Sequence, residues 1–278
     1  MTGRKSRPGT EPMYSGGNRK DFPITTGYDS VKYEDFISSQ LFNSENILIC
    51  QSFHNGCFSG CFAPYKRYSP RPALSLASGS DNDSFLESVN AHSKGINGRQ
   101  QNIYSLACDE NLGFGVFFME KYGTAQALVT KFSDIQKKWK EGFRITSCAA
   151  RGPTFFIIMT KDTEEYRDKL QMCFNRNTWN KTCGEINKHI KAGYTVTGIC
   201  YSTGLKRYLV VMTKIPEVQS SHYCDDTTAV LDWIEEKRHV GYHPTLIFRH
   251  PTVDKTLAVV TTDENRSESF CIHNYKLN

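Results

Sequence analysis

Two short clusters of cysteine, histidine and carboxylate side chains carry the residue types that could do chemistry. The first cluster holds Cys50, His54, Cys57 and Cys61 within twelve residues, and thiolates and imidazoles at such spacings bind zinc. The stretch GCFSGCFA is also typical of a β-strand, in which residues 57, 59 and 61 share one face. We favour small thiols that pack against a neighbouring sheet, so the sequence predicts no metal and no other cofactor.

The second cluster joins a histidine, a cysteine and two carboxylates: His222, Cys224, Asp225 and Asp226. A histidine can activate a cysteine as a nucleophile when the two are in contact. Cys224, however, has counterparts in two other segments, Cys173 and Cys271, which indicates a residue of a repeated core. An aspartate before Thr227 is a typical helix N-cap. The sequence therefore predicts no catalytic residue, and we expect that the protein is not an enzyme.

These clusters lie in a unit that the chain repeats. One copy begins with KFSDIQKKWKE (131–141), which has the apolar spacing of a helix, and continues with three β-like runs. Fifty-one residues after Gly142 the same pattern returns around Gly193. Five copies of about 48 residues cover most of the chain, at about 30–78, 83–131, 131–174, 178–224 and 226–275.

A short signature marks the last three copies: Gly, an aromatic residue, two variable residues and Thr, starting at Gly142, Gly193 and Gly241. A glycine just past a helix can adopt the left-handed conformation that ends the helix. The runs that follow are rich in β-branched and aromatic residues, which are typical of pleated strands. Three equivalent helices carry a tryptophan: Trp139, Trp179 and Trp233. These rings could stack a ligand, but their place in an apolar helix stripe favours core packing.

The repeats predict a mainly β fold with helices. A three-stranded meander with one helix cannot bury both faces alone, so the copies must pack on one another. We expect five αβββ repeats that close into a five-bladed propeller-like ring, because closure hides the end faces. An open repeat array is the alternative, although such arrays usually need capping copies and no distinct cap is visible.

Residues 131–214 also carry a pattern known from a protein family. The matching residues are Trp139, Gly142, Phe143, Ile145, Ser147, Ala149 and Met159, and less closely Gly193, Tyr194, Val196, Thr197 and Met212. They resemble the repeat-containing C-terminal, non-kinase region of the plant and algal casein-kinase-1-like kinases of the photoregulatory (MUT9-like) group. The resemblance implies an accessory or interaction module. It does not imply kinase activity, since no His-Arg-Asp loop, Asp-Phe-Gly motif or glycine-rich ATP loop occurs in the sequence.

Residues 1–29 differ in composition from the repeats, which fill a domain at 30–278. The segment is rich in Gly, Pro and Ser, and its charge is mainly basic, from Arg4, Lys5, Arg7, Arg19 and Lys20. Such a segment cannot fold alone. We predict an extended basic N-terminal arm that binds an acidic surface and becomes ordered there; a solvated leader is the alternative.

The net charge of +5 permits an acidic partner without requiring one. No export signal and no long apolar run is visible, so we expect free thiols, no membrane and a cytoplasmic or cytoskeletal location. Together these features predict a non-catalytic structural or interaction protein that docks into a large assembly. A microtubule or ciliary (axonemal) lattice, with tubulin-like acidic surfaces, fits best. The alternatives are a nuclear or chromatin adaptor, with nucleic acid as partner, and a glycan- or ligand-binding propeller.

Overall fold

The computed structural model describes residues 24–31, 46–54, 57–64, 74–79, 81–95, 100–110, 113–120, 122–163, 166–215, 219–262 and 271–277. In chain order the elements there are β1 (Ile24–Val31), β2 (Asn46–His54), β3 (Cys57–Pro64), β4 (Leu74–Gly79), α1 (Asn82–Lys94), β5 (Gln101–Asp109), β6 (Gly113–Glu120), β7 (Ala125–Val129), α2 (Phe132–Lys140), β8 (Phe143–Arg151), β9 (Thr154–Lys161), β10 (Gln171–Arg176), α3 (Trp179–Ile190), β11 (Tyr194–Ser202), β12 (Arg207–Lys214), β13 (Ser220–Asp225), α4 (Thr227–Arg238), β14 (Tyr242–Arg249), β15 (Thr256–Thr262) and β16 (Cys271–Leu277).

The strands form five sheets. Sheets 2 to 5 are three-stranded and antiparallel, with the orders β4-β6-β5, β7-β9-β8, β10-β12-β11 and β13-β15-β14. Sheet 1 is four-stranded, in the order β1-β16-β3-β2, and only β1 and β16 are parallel. The predicted mainly β class with helices is confirmed.

The pairing of strands differs from the predicted meander. We expected the three strands of each copy to pair with one another. Instead, the third strand of a copy joins the next sheet: β4 pairs with β6, and β7 pairs with β9. The last strand, β16, pairs with β3 in sheet 1. The αβββ meander is therefore wrong as a pairing unit, and in sheets 2 to 5 the unit is strand, helix and hairpin.

The short link between the third strand of a copy and the following helix explains why that strand joins the next sheet. The helix that follows the third strand packs on the same sheet that the strand joins, as α1 does on β4, β5 and β6. Only a few residues link the strand to this helix, so the two elements stay together. The element order along the chain is the same for both pairings, so the sequence pattern could not separate them.

The first strand of each hairpin contacts its counterparts in the neighbouring sheets. We call these the inner strands: β2, β5, β8, β11 and β14. β5 contacts β2 and β8, β11 contacts β8 and β14, and β14 also contacts β2. The inner strands therefore contact one another in succession from sheet to sheet.

Each inner strand carries a β-bulge at an equivalent position. The register shifts lie between Leu48 and Cys50, Ile103 and Ser105, Ile145 and Ser147, Val196 and Gly198, and Pro244 and Leu246. In sheets 3 to 5 the bulged residue is the threonine of the sequence signature. Its hydroxyl bonds across the hairpin: Thr146 to Thr160 at 2.8 Å, and Thr197 to Thr213 at 2.8 Å. The signature threonine thus stabilises a bulge that bends the inner strand.

The structure confirms the glycines predicted after the helices and the aspartate predicted before α4. Gly142, Gly193 and Gly241 follow α2, α3 and α4 with φ of 89°, 83° and 87°, the left-handed region that favours glycine. At the start of α4, the side chain of Asp226 accepts a hydrogen bond from the N–H of Ala229 at 2.9 Å. Asp226 is therefore the N-cap that the sequence predicts before Thr227.

Buried side chains fill the spaces between neighbouring sheets. Met159 of sheet 3 shares one apolar cluster with Leu209 and Val211 of sheet 4. Met212 of sheet 4 shares the next cluster with Phe248 of sheet 5. Trp139 packs against the first cluster and Trp179 against the second. Trp233 packs against a third cluster, which contains Val230 and Ile234 of α4. The predicted role of the tryptophans in the core is confirmed.

Two glutamines join neighbouring sheets by hydrogen bonds. Gln171, in β10, accepts from the N–H of Ile145 at 2.6 Å and donates to its carbonyl at 2.9 Å, and also donates to Thr213 at 3.1 Å. Gln126, in β7, makes the same three contacts with Ile103 and Thr160. Each glutamine satisfies backbone groups next to a bulge, which would otherwise lack partners.

The N-terminal region is described only in part. Residues 24–29, at the end of the predicted arm, belong to β1 and pair with β16. The predicted partner-binding residues lie outside the described residues: Arg4, Lys5, Arg7, Arg19 and Lys20. The first predicted helix, apart from its initial residues Ser30 and Val31 in β1, also lies outside them. Across the described ranges, no helix has the length and apolar character needed to cross a lipid bilayer.

Candidate functional sites

The hairpin turns of three sheets meet at one end of the inner strands. The carbonyl of Gly152 accepts hydrogen bonds from the N–H of Gly204 at 3.2 Å and from the hydroxyl of Ser202 at 2.6 Å. Glu110 accepts from the N–H of Gly152 at 2.9 Å and from the hydroxyl of Thr203. A Cβ atom on Gly204 would lie 2.7 Å from the backbone of Gly152, so only glycine permits this approach. We call this side the turn face.

A cavity of about 160 Å³ opens among the inner strands near the turn face. Residues of all five inner strands line it, among them Gln51, Asp109, Ala150, Tyr201 and Arg249. Three of its thiols come from neighbouring inner strands: Cys108, Cys148 and Cys200. Burial raises the pKa of Cys108 to about 12 and that of Cys200 well above its ordinary value. Because a thiolate is the reactive form, Cys108 and Cys200 are poor nucleophiles at neutral pH.

A second cavity is a cleft between α3 and β13. Its walls are Trp179, Asn180, Cys183 and Asn187 from α3, His222, Tyr223 and Cys224 from β13, and Lys255. The thiols of Cys183 and Cys224 are close enough for each to shift the pKa of the other. The ring of His222 is bonded to the amide oxygen of Asn187 at 2.6 Å, and burial lowers the pKa of His222. The cleft therefore brings two thiols and an imidazole together at the surface.

The surroundings of the two thiols make them chemically unequal. The interaction with Cys224 is the largest cause of the lowered pKa of Cys183, and the positive charge of Lys255 acts in the same direction against partial burial. The interaction with Cys183, burial and the negative charge of Asp225 raise the pKa of Cys224. The charged neighbours therefore favour the thiolate at Cys183 over the thiolate at Cys224.

The structure separates the members of the predicted 222–226 cluster. His222 and Cys224 line the cleft, Asp226 is an N-cap, and Asp225 pairs with Lys255 at 3.1 Å. Sequence reasoning missed Cys183, which lies 41 residues before Cys224 in another element. The available signal was the spacing of Cys183 and Asn187, which puts both on one face of α3.

The predicted strand through the first cluster is confirmed. β2 and β3 form a hairpin in which Cys50 pairs with Cys61 and His54 pairs with Cys57. The side chains of these four residues lie outside the described part of the structure. Among the residues whose side chains are described, no group of three or more histidine, cysteine or carboxylate side chains could hold a metal ion.

Basic side chains gather at the opposite end of the molecule from the turn face. The inner strands β8, β11 and β14 start at that end, directly after α2, α3 and α4, so we call it the helix-end face. The last turns of α2 to α4 are basic: Lys137, Lys138, Lys140, Lys188, His189, Lys237 and Arg238. Lys191 follows α3, and Lys161 and Lys214 end β9 and β12. Some of these cations are neutralised locally, as Lys138 is by Glu141 at 2.6 Å.

Other cations of the helix-end face are exposed and have no ion pair with any described residue: Lys137, Lys140, Lys188, Lys191 and Lys214. The position after a helix C-terminus favours positive charge, which explains part of the pattern. The accumulation on sheets 3 and 4 still leaves a cationic surface.

The point where the N-terminal arm joins the fold can be placed from the strand directions. β3 runs from the turn face to the helix-end face, and β16 is antiparallel to it. β1 is parallel to β16, so its first residue, Ile24, lies beside Ile272 near the helix-end face. The segment 1–23 is therefore attached on the same side as the basic helix ends.

The described part of the chain is mainly β, and a unit of strand, helix and hairpin recurs in sheets 2 to 5. No model of a known protein family matches the chain, and a search of curated proteins gives no match.

Proposed function

We propose that the five sheets close into a five-bladed propeller-like ring, and that the protein is a non-catalytic structural or interaction protein. The contacts between inner strands support the ring, since they run from β2 through β5, β8 and β11 to β14 and back to β2. The return of β16 to sheet 1 supports it further, because this pairing ties the last strand to the first sheet. A ring leaves no end face exposed, whereas an open array leaves two.

We propose that the partner is an acidic protein surface. The observation that carries this proposal is the shared position of the two basic features, because the arm is attached on the side where the exposed helix-end lysines lie. A folded face and an attached arm that bind the same partner raise the overall affinity by their effective concentration. Complementary charge also speeds the encounter and makes binding sensitive to salt.

A microtubule or ciliary lattice is the favoured partner, with a cytoplasmic or cytoskeletal location. Its acidic tails offer repeated negative charge to a disc-shaped cationic face. The resemblance around Trp139 and Gly142 favours a second candidate, an adaptor in the nucleus that binds chromatin. Both candidates use the same face and differ in the acidic surface that they contact.

Microtubule co-sedimentation tests the proposal and its arm. We expect the full chain to co-sediment with microtubules, and to lose at least about ten-fold in affinity when the acidic tails are removed by protease. Deletion of residues 1–23 should weaken binding by a similar factor, since it removes one of two linked contacts. The deletion stops before Ile24 and so keeps β1 intact.

Two results would contradict parts of this proposal. Equal binding by the full chain and by the chain lacking residues 1–23 would remove the arm from the interface. Binding to duplex DNA or nucleosomes at the same salt, without binding to microtubules, would replace the microtubule by the nuclear alternative. A shift of the binding curve with salt should accompany either partner.

A further inference from the structure

The two cysteines of the α3–β13 cleft come from elements that belong to different sheets. Cys183 lies on α3, which packs on sheet 4, and Cys224 lies on β13, the outer strand of sheet 5. Both side chains are half-buried and line an open cleft. A bond between the two sulfur atoms would therefore connect two neighbouring sheets near the surface, where small reagents have access.

The two thiols are also arranged as an attacking and a resolving pair. Lys255 lies near Cys183 and Asp225 lies near Cys224, so the thiolate is favoured at Cys183. A thiolate reacts with peroxides, and a neighbouring thiol then converts the product into a disulfide. The two thiols line one cleft and act on each other's pKa, so the second step joins near neighbours.

We propose that Cys183 and Cys224 are a redox-active pair that forms a reversible disulfide and fastens α3 to sheet 5. With hydrogen peroxide as oxidant, the Cys183 thiolate attacks one oxygen, the O–O bond breaks, and the leaving hydroxide takes up a proton to become water. Cys183 is then a sulfenic acid. The sulfur of Cys224 attacks it, the S–S bond forms, the S–O bond breaks, and a second water leaves with the proton of Cys224. A dithiol reductant reverses the change.

The chain contains a matched internal control. Cys148 and Cys200 are also close enough to interact, but both are buried in the inner strands, beside the cavity near the turn face. Burial raises the pKa of Cys200 and so disfavours its thiolate. The control pair shares the proximity of the cleft pair but lacks its exposure.

Peptide mapping of the folded protein tests the proposal. The full chain is treated with hydrogen peroxide, its remaining thiols are blocked after unfolding, and linked peptides are identified by mass spectrometry. We expect a Cys183–Cys224 linkage, removed by a dithiol reductant, while Cys148 and Cys200 are recovered as blocked thiols. Oxidation should also raise the melting temperature by roughly 5–10 °C, because the disulfide closes a loop in the unfolded chain.

The variants Cys183→Ser and Cys224→Ser separate the roles of the two thiols. Each should abolish the linkage and the rise in melting temperature, and Cys224→Ser should leave Cys183 as a sulfenic acid that a dimedone-type probe labels. The proposal is overturned if Cys183 and Cys224 remain free thiols after peroxide treatment. Equal linkage of Cys148 and Cys200, or links between chains only, would overturn it as well.

Discussion

Replacing Phe85 by alanine is expected to lower the free energy of unfolding by about 4 kcal/mol. The ring of Phe85, in α1, is fully buried at 0% exposure. It stacks on Phe114 of sheet 2 with ring centroids 4.3 Å apart and meets the edge of Phe156, in sheet 3, at 5.5 Å. Truncation leaves a cavity between two sheets that cannot collapse without moving both.

Leu86 provides the matched control because it is the next residue of α1 and is 38% exposed. Leu86→Ala should change the free energy of unfolding by less than about 1 kcal/mol. Urea denaturation followed by circular dichroism measures both variants, with stability taken from the midpoint and slope. Similar destabilisation by the two variants would contradict the packing of α1 that the structure gives.

Reversing the charge of Lys137, Lys188 and Lys214 together is expected to reduce affinity for microtubules by at least about ten-fold. The three residues lie on the helix-end face, in sheets 3 and 4, and are exposed. Glutamates there would repel an acidic surface instead of attracting it. The comparison of variant and unchanged chain in co-sedimentation at low and physiological salt measures the effect, which should shrink as salt rises.

A matched control reverses three exposed cations near the turn face: Lys181, Lys206 and Arg207. It changes the net charge by the same amount, so any general effect of charge appears in both variants. We expect it to keep most of the affinity. If both triple variants lose affinity equally, the helix-end face is not the docking surface. Circular dichroism of both variants excludes loss of folding as the cause.

The sequence predicted the elements of the fold better than their pairing. The signature from Gly142 to Thr146 indicated a helix end followed by a strand, and the structure gives a left-handed glycine and a bulge threonine for the same residues. The pattern could not assign β4 or β7 to a sheet, because strand order along the chain is unchanged by the exchange. That assignment depends on where α1 and α2 pack, which is a tertiary property.

For the candidate sites too, the sequence showed residues within one element but not the residues that other elements bring beside them. The chain pattern drew attention to His222 and Cys224, which are two residues apart, but the reactive partner Cys183 comes from a helix on another sheet. The central cavity could not be predicted at all, since its lining is contributed by five separate strands. The basic helix ends were visible in the sequence as separate charged stretches. Their position on one side depends on the common direction of the inner strands.

Distances between spin labels on the helices test the ring most directly. Labels are placed at exposed positions 90 in α1, 188 in α3 and 236 in α4 through a non-natural amino acid, so that native thiols do not react. The helices belong to sheets 2, 4 and 5. In a closed ring of five, sheets 2 and 5 are two steps apart, as sheets 2 and 4 are. Double electron–electron resonance should therefore give similar distances for 90–188 and 90–236, whereas a clearly longer 90–236 distance would contradict the ring and support an open row.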